Sequence, residues 1–226
     1  MGWLSVLIWL PLGAIGPLWF MPDRSKGVFI WTLSIAIVQL LIYSVFIYGN
    51  VDDGRAIASK PSALTEYIKW IELAWSKSDR LVFAYHLRID GLSHAMVLLT
   101  LILQPVIVLA SLPILKSRRS YFSLLLLLNA SILGCFLAFD LFLFYVFFEF
   151  MLLPLFFLIS YWGGEERESA ALKFFLYTLV GSLVLLIVLF ALLFSYPTIG
   201  ESSDLVYNLD LTNLVNLKGL HAESVL

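Results

Sequence analysis

Glu149 is the residue with the most chemistry to offer. It is the one charged side chain between Asp140 and Gly164 in the apolar run AFDLFLFYVFFEFMLLPLFFLISYWGG, Ala138 to Gly164. With Asp140 capping a helix through this run, Glu149 lies nine residues along it, roughly 13 Å into a helix about 34 Å long. That depth is close to a bilayer midplane. An ionised carboxylate there is costly, so the group must stay protonated, find a cationic partner, or face water enclosed by protein. Pro154, five residues on, has no amide N–H and leaves the carbonyl of Phe150 able to accept from a water. An acid beside a loosened helical turn is suited to taking up and releasing a proton. The structural alternative is a protonated glutamate bonded to a neighbouring helix, but intramembrane acids are functional by default.

The other polar residues in apolar surroundings offer less. Asp140 and Glu149 lie about 180° apart around a helix and so are not a catalytic carboxylate pair. Gln104, just before Pro105 in another apolar segment, serves either as interhelical glue or as a station in a water wire. Asn129 reads as glue. Lys173 enters its helix about 6 Å beyond the cap and can snorkel to the interface; its depth differs from that of Glu149 by roughly 15 Å. An interfacial anchor and a part in a proton path are both open to it. His86, His94 and His221 are too scattered for a metal site. Cys135 is the single cysteine, in an apolar run, which excludes an intramolecular disulfide and a cysteine-ligated cluster built by this chain alone. No metal or redox cofactor is expected in the chain itself.

Membrane helices must position these groups. Of the 226 residues, 61% are hydrophobic and 13% charged, with a mean hydropathy of +0.95, against about 25% charged residues in soluble domains. The net charge of −2 gives no footprint for nucleic acid. Trp3 to Phe20 lacks the basic leading region of a signal peptide and reads as a retained helix, interrupted by Pro11 and Pro17. Val28 to Tyr48 is the second span. Gly49 to Asp90 is a long polar interval whose second half alternates: Tyr67 to Trp75 and Leu81 to Leu87 read as a β-hairpin, with Leu81, Phe83, Tyr85 and Leu87 on one face. It is either a clamp at the membrane surface or an irregular loop held by its tryptophans.

Asp90 caps a third helix running to about Leu115. Tyr121 to Trp162 is too long for one span and right for two, with the break at Ala138-Phe139-Asp140. Ser169 is expected to cap the sixth helix, which runs to about Tyr196. Asp210 to Gly219 reads as a short amphipathic surface helix. The fold class is an all-α polytopic membrane protein of about six transmembrane helices, with one long outer-side loop and the short C-terminal helix. Its divisions are helices 1–2 (1–48), the outer-side loop or hairpin (49–89), helices 3–6 (90–196) and an extramembrane tail (197–226). Arg24 and Lys26, then Lys116, Arg118 and Arg119, then Arg167 fall in alternate loops. The positive-inside rule puts those loops in the cytoplasm or matrix, with both termini outside and Glu149 reached from the outer side.

Three stretches, RIDGLSHAMVLLT (Arg88 to Thr100), FLAFDLFLFYVFFEFMLLPLFFLISYWG and ALKFFLYTLVGS, resemble, in order and spacing, the antiporter-like membrane subunit of proton-pumping NADH:quinone oxidoreductase, respiratory complex I, called chain 4 or chain M. The resemblance covers nearly all of this chain and only the first six helices of that subunit. It implies a part in proton translocation coupled to NADH oxidation and quinone reduction. Glu149 matches the family's fifth-helix glutamate and Lys173 the lysine of its KFF motif; Asp140, Pro154 and Gln104 are supporting residues. NADH, FMN, iron–sulfur clusters and quinone would belong to partner subunits, and the chain's own partners would be other complex I membrane subunits and the lipid bilayer, in a mitochondrial inner or bacterial plasma membrane.

Similar proteins continue into a seventh and eighth helix whose lysines pair with this glutamate. A second polypeptide or a continuation is therefore expected to supply them, and this chain alone is not expected to conduct protons. Two other classes stand beside this reading: a structural membrane module that moves no ion, and a subunit of a cation/proton antiporter or membrane-bound hydrogenase. Copurifying flavin and iron–sulfur subunits, nickel–iron subunits, or neither would tell complex I, hydrogenase and antiporter apart.

Overall fold

The structure, a computed structural model, describes residues 2–23, 25–50, 65–74, 79–195, 198–199 and 205–211. Six helices cross the apolar layer: α1 (Trp3–Phe20), α2 (Lys26–Asn50), α3 (Gly91–Ala110), α4 (Arg118–Leu137), α5 (Leu141–Trp162) and α6 (Arg167–Ser195). Each is long and apolar enough to span a membrane, and the chain is a multi-pass membrane protein. Between α2 and α3 lies the hairpin β1 (Thr65–Ala74) and β2 (Asp79–Arg88); after α6 come the short strands β3 (Thr198–Ile199) and β4 (Leu205–Tyr207).

α4 is the hub. It packs against α1, α2, α3 and α5, and 56% of its apolar window is buried, against 17% in α5 and in α6. One apolar cluster joins Leu4, Leu7, Tyr43, Leu101, Leu133 and Leu137 toward the hairpin end; a second joins Leu18, Val28, Val108, Phe122 and Leu126 toward the other. Gly134 allows α4 and α5 to meet closely, because a Cβ there would overlap the Phe147 ring. Pro11, Pro17, Pro105 and Pro154 all lie within unbroken helices, their freed carbonyls being tolerated where neighbouring helices enclose them.

Two helix ends differ from the expectation. α3 stops at Ala110 rather than near Leu115. Ser111 Oγ donates to the Ile107 carbonyl at 2.7 Å, Pro113 cannot continue the ladder, and Arg118 donates to the Leu112 carbonyl at 2.9 Å. α6 begins at Arg167, so Ser169 sits inside its first turn; the Ala170 N–H already bonds the Glu166 carbonyl at 3.0 Å.

The hairpin is antiparallel, pairing Thr65 with Arg88 through to Ala74 with Arg80, with a register shift between Lys69 and Ile71. Alternation was expected to give β2 one buried face. Instead Val82, Ala84 and His86 are buried as well as Leu81, Phe83 and Leu87, while Tyr85 is only half-buried. Both faces of β2 are covered: Leu81 and Phe83 pack with Leu189, Leu193 and Leu209, and His86 lies against Asp210, Tyr67 and Phe139. At its edge β4 pairs parallel to it, Asp79 to Leu205 through Leu81 to Tyr207, and β3 completes a sheet ordered β1-β2-β4-β3. This sheet lies on the ends of α5 and α6, with Phe83 against Phe142 at a 4.3 Å ring separation and Phe194 against Tyr207 at 5.9 Å. Of the expected amphipathic helix, only Asp210 and Leu211 fall within the described residues, and Asp210 forms a β-bridge with Asp140.

The start of α1, the sheet, the α4–α5 turn and residues 205–211 all gather at one end of the bundle. The connections that follow α1, α3 and α5 gather at the other. There the Arg119 N–H bonds Asp23 Oδ1 at 2.9 Å, and Trp162 Nε1 donates to the Lys116 carbonyl at 3.0 Å.

Candidate functional site

α5 begins where the sequence allows it to. Asp140 has extended backbone, and its Oδ1 accepts the N–H groups of Phe142 at 2.9 Å and Leu143 at 3.0 Å. Burial, and next the approach of Asp210, raise its carboxyl to about 6 against the lowering pull of the backbone N–H groups of Leu143, Phe142 and Ala84.

Nine residues along this helix, Glu149 is half-buried rather than buried. Its Oε1 is nevertheless shut away from solvent with no hydrogen-bond partner among the described residues. Tyr145, one turn earlier on the same face, interacts with both Glu149 and the buried Ser182 of α6. The glutamate therefore points toward the α5–α6 seam, where Phe156 and Phe175 also meet at 5.3 Å. A carboxyl oxygen shut away without a partner can take a proton or a bridging water.

The remaining sequence candidates are dispersed. Lys173, in the second turn of α6, is exposed and forms no ion pair with Glu149 among the described residues, in keeping with their different depths. Pro154 is buried in α5. Gln104 is buried in the bundle, but its Nε2 has no partner among the described residues, so the partner expected for it is not made. Asn129 does act across helices: its Nδ2 donates to Gln39 Oε1 at 2.9 Å, and Gln39 Nε2 donates to the Leu7 carbonyl at 2.9 Å, tying α4 to α2 and α1. Gln39, a lone amide in an apolar segment, carries the same signal in the sequence. An apolar cavity of about 610 Å³ opens between α1, α4, α5 and the hairpin, with Trp9, Lys69, Tyr85, Phe147 and Phe150 among its walls; Glu149 does not line it.

Two groups at the sheet end were missed by sequence reasoning. Glu66 of β1 caps α1, accepting the Leu4 N–H at 2.6 Å. His86, too scattered in sequence for a metal site, is buried and paired with Asp210 at 2.7 Å, with the Tyr67 ring set edge-on at 5.3 Å between ring centres. Its partner lies 124 residues away, and no local pattern announces such a pair. Among the described residues no group of three or more His, Cys, Asp or Glu side chains could hold a metal ion.

Comparisons with known proteins place this architecture. The family described as NADH:quinone oxidoreductase/Mrp antiporter, TM, matches residues 138–223, which begin at the α4–α5 turn. The chloroplastic NAD(P)H-quinone oxidoreductase chain 4 of Jasminum nudiflorum is 36% identical over 186 residues, covering 81% of this chain and 35% of that protein. The same subunit of Chara vulgaris is 35% identical over 193 residues, covering 85% and 37%. Among solved structures, respiratory complex I from Thermus thermophilus with bound NADH contains a chain that superposes with a TM-score of 0.59 at 25% identity, over 83% of this chain and 35% of that one. The archaeal membrane-bound sulfane sulfur reductase complex superposes with a TM-score of 0.65 at 19% identity, over 85% and 37%, a likeness of fold alone. The chain thus spans little more than a third of the length of the curated relatives it matches. It is homologous to the N-terminal part of NAD(P)H-quinone oxidoreductase chain 4, and carries the antiporter-family match from the α4–α5 turn onward.

Proposed function

We propose that the chain contributes to proton translocation in a membrane complex that couples NAD(P)H oxidation to quinone reduction, with Glu149 as its proton carrier. The observation that carries this reading is the unpartnered, solvent-shielded Oε1 of a glutamate midway along an apolar spanning helix. Lys173 serves at the interface, as anchor or as an entry to the path. Asp140 sets the start of α5; Pro154 and Gln104 leave polar groups that enclosed water can use.

The apolar, weakly buried faces of α5 and α6 support a place inside a larger membrane assembly, with other membrane subunits and the helices that follow in the relatives as neighbours. Redox chemistry belongs to partner subunits carrying flavin and iron–sulfur clusters. The basic loops face the cytoplasm, matrix or stroma, and the sheet faces the opposite compartment; the chloroplastic relatives add the thylakoid to the candidate membranes.

The test is Glu149→Gln in the assembled complex, which keeps size and most hydrogen bonding while removing the titratable proton. The expected result is normal assembly and intact NAD(P)H oxidation by the hydrophilic part, with severe loss of coupled quinone reduction and proton pumping. Glu149→Asp should keep part of the activity, and Lys173→Ala should do less harm. Pumping by Glu149→Gln at the wild-type rate would refute the carrier role and favour a structural module.

A further inference from the structure

The cavity beside the hairpin has a counterpart at the other end of the bundle. α1 and α5 both pack on α4 and leave a groove between them. The cavity of about 610 Å³ occupies the sheet-side half of this groove, and a second, of about 480 Å³, lies between Trp19, Ser120, Ser123, Phe157 and Trp162 in the other half. Leu127 lines both. It stands ten residues from Ser117, just before α4, and ten from Leu137 at the end of the helix, roughly 15 Å from each. Each cavity therefore runs from one interface to the middle of a hydrocarbon core about 30 Å thick, the depth of one leaflet.

Polarity in the groove is graded in the same way. The sheet-side cavity has the exposed Lys69 and Trp70 at its rim, with the Tyr85 hydroxyl accepting from Trp9 Nε1 at 3.3 Å, and narrows inward to Leu12, Val146 and Phe150. Glu66, three residues before Lys69, has its carboxylate engaged by the Leu4 and Ser5 N–H groups. At the other rim stand Ser117, Tyr161 and Trp162, with the exposed Lys116 next in sequence. Ser120 and Ser123 descend the wall from there, and the Ser123 hydroxyl, on a residue 8% exposed, has no partner among the described residues. A buried hydroxyl of this kind calls for an acceptor. Aromatic side chains at both interfaces and a cation at headgroup level match the layering of a bilayer.

We propose that the groove between α1, α4 and α5 is a phospholipid site holding two molecules, one from each leaflet, each laying an acyl chain inward to Leu127. Size selects this occupant over a protein helix. Fifteen ångströms of helix, about 10–12 Å across with its side chains, needs roughly 1,200–1,700 Å³, more than either cavity offers, whereas a flexible chain of methylenes fits 480 and 610 Å³. Lys69 faces the phosphate on the sheet side and Lys116 the phosphate on the other, each as a point charge at the rim. Ser123 Oγ donates to an ester carbonyl of the second lipid. The two lipids fill the seam between α1 and α5, which α4 alone joins.

The experiment uses the intact complex in proteoliposomes containing phosphatidylglycerol with a photoreactive diazirine at the end of one acyl chain. The complex is extracted, washed in detergent to strip loosely held lipid, irradiated and mapped by mass spectrometry. Adducts are expected at Leu127 and its neighbours Leu12, Leu124 and Phe150, and not at Leu99 and Leu103 on the exposed face of α3. Val146→Trp should fill the sheet-side cavity and abolish the adducts at Leu12 and Phe150 while those at Leu124 persist; Ser120→Trp should do the reverse. Both positions are only part-buried, so the larger ring enters the cavity rather than the core, and either variant carries the comparison if the other fails to assemble. Equal labelling of α3 and the groove, no labelling in the groove, or adducts unchanged in both variants overturns the site. So does a density map of the complex in which a helix of another segment or subunit fills the groove.

Discussion

Glu66 of β1 and Ser5 of α1 are joined three times over. The Ser5 hydroxyl donates to Oε2 at 2.5 Å, and the Ser5 N–H reaches Oε1 at 3.3 Å and Oε2 at 3.4 Å. A carboxylate from a strand thus occupies the positive end of a membrane helix where a local cap would sit; Gly2, the residue before the helix, supplies no side-chain bond of its own.

Removing that carboxylate should loosen both elements together. Glu66→Ala is expected to destabilise the protein by about 1–2 kcal/mol, the usual worth of a lost cap with a charge at the helix end. Glu66→Gln, which keeps an acceptor oxygen, should cost about half as much. Thermal unfolding in detergent, read together with protease sensitivity of the hairpin, checks both values; equal stability of Glu66→Ala and wild type would show that the contact does not hold the hairpin down.

The amide bridge of Asn129 and Gln39 should behave as a coupled pair. Interhelical hydrogen bonds in membrane proteins average about 0.6 kcal/mol by double-mutant cycle. Asn129→Ala and Gln39→Ala are expected to show a coupling of that order, with the double variant less destabilised than the sum of the two. Strict additivity in the unfolding measurements would mean that the bridge contributes nothing to holding α2 on α4.

Asp140→Asn is expected to flatten the acid side of the stability profile. The native carboxyl sits at about 6 rather than 3.8, so the folded state binds the proton more tightly and stability falls as pH rises from about 4 to about 6. Asparagine is an equally good cap and does not titrate. Unfolding midpoints across that window should therefore slope downward with pH in wild type and slope less in the variant.

The helical layout could be read from the sequence because membrane helices are set by local quantities: run length, charge, and the turn residues between runs. The break at Phe139 and Asp140 needed only the arithmetic of a span and a cap. Glu149 stood out because nothing around it is polar. The errors fell where the decisive partner is remote. β2 looked like a half-exposed strand because Leu209 and Asp210, which pack on its two faces, lie beyond four further helices. His86 looked isolated for the same reason. The end of α3 was overrun because the Arg118 contact with the Leu112 carbonyl, beyond Pro113, has no periodic signature.

The two ends of the bundle should prove to be opposite faces of the membrane. Single cysteines at Lys69 and at Glu165, both exposed, introduced with Cys135 replaced by serine, should react with an impermeant maleimide from opposite sides of sealed vesicles. Labelling of both from one side would overturn the six-span threading.

The closure of the sheet also sets an order of folding. The hairpin pairs residues close in sequence and can form within about 1–10 μs of being freed from its surroundings. Its bond to Asp210, 124 residues further on, has to wait for synthesis. At typical synthesis rates of about 5–20 residues per second, roughly 6–25 s pass between His86 and Asp210 leaving the ribosome. During that interval four helices must enter the bilayer while the second edge of β2 stands open. Any factor that shields a nascent strand edge would act within this window, and a ribosome stalled before Asp210 would leave a bundle with its helices threaded and its end unfastened.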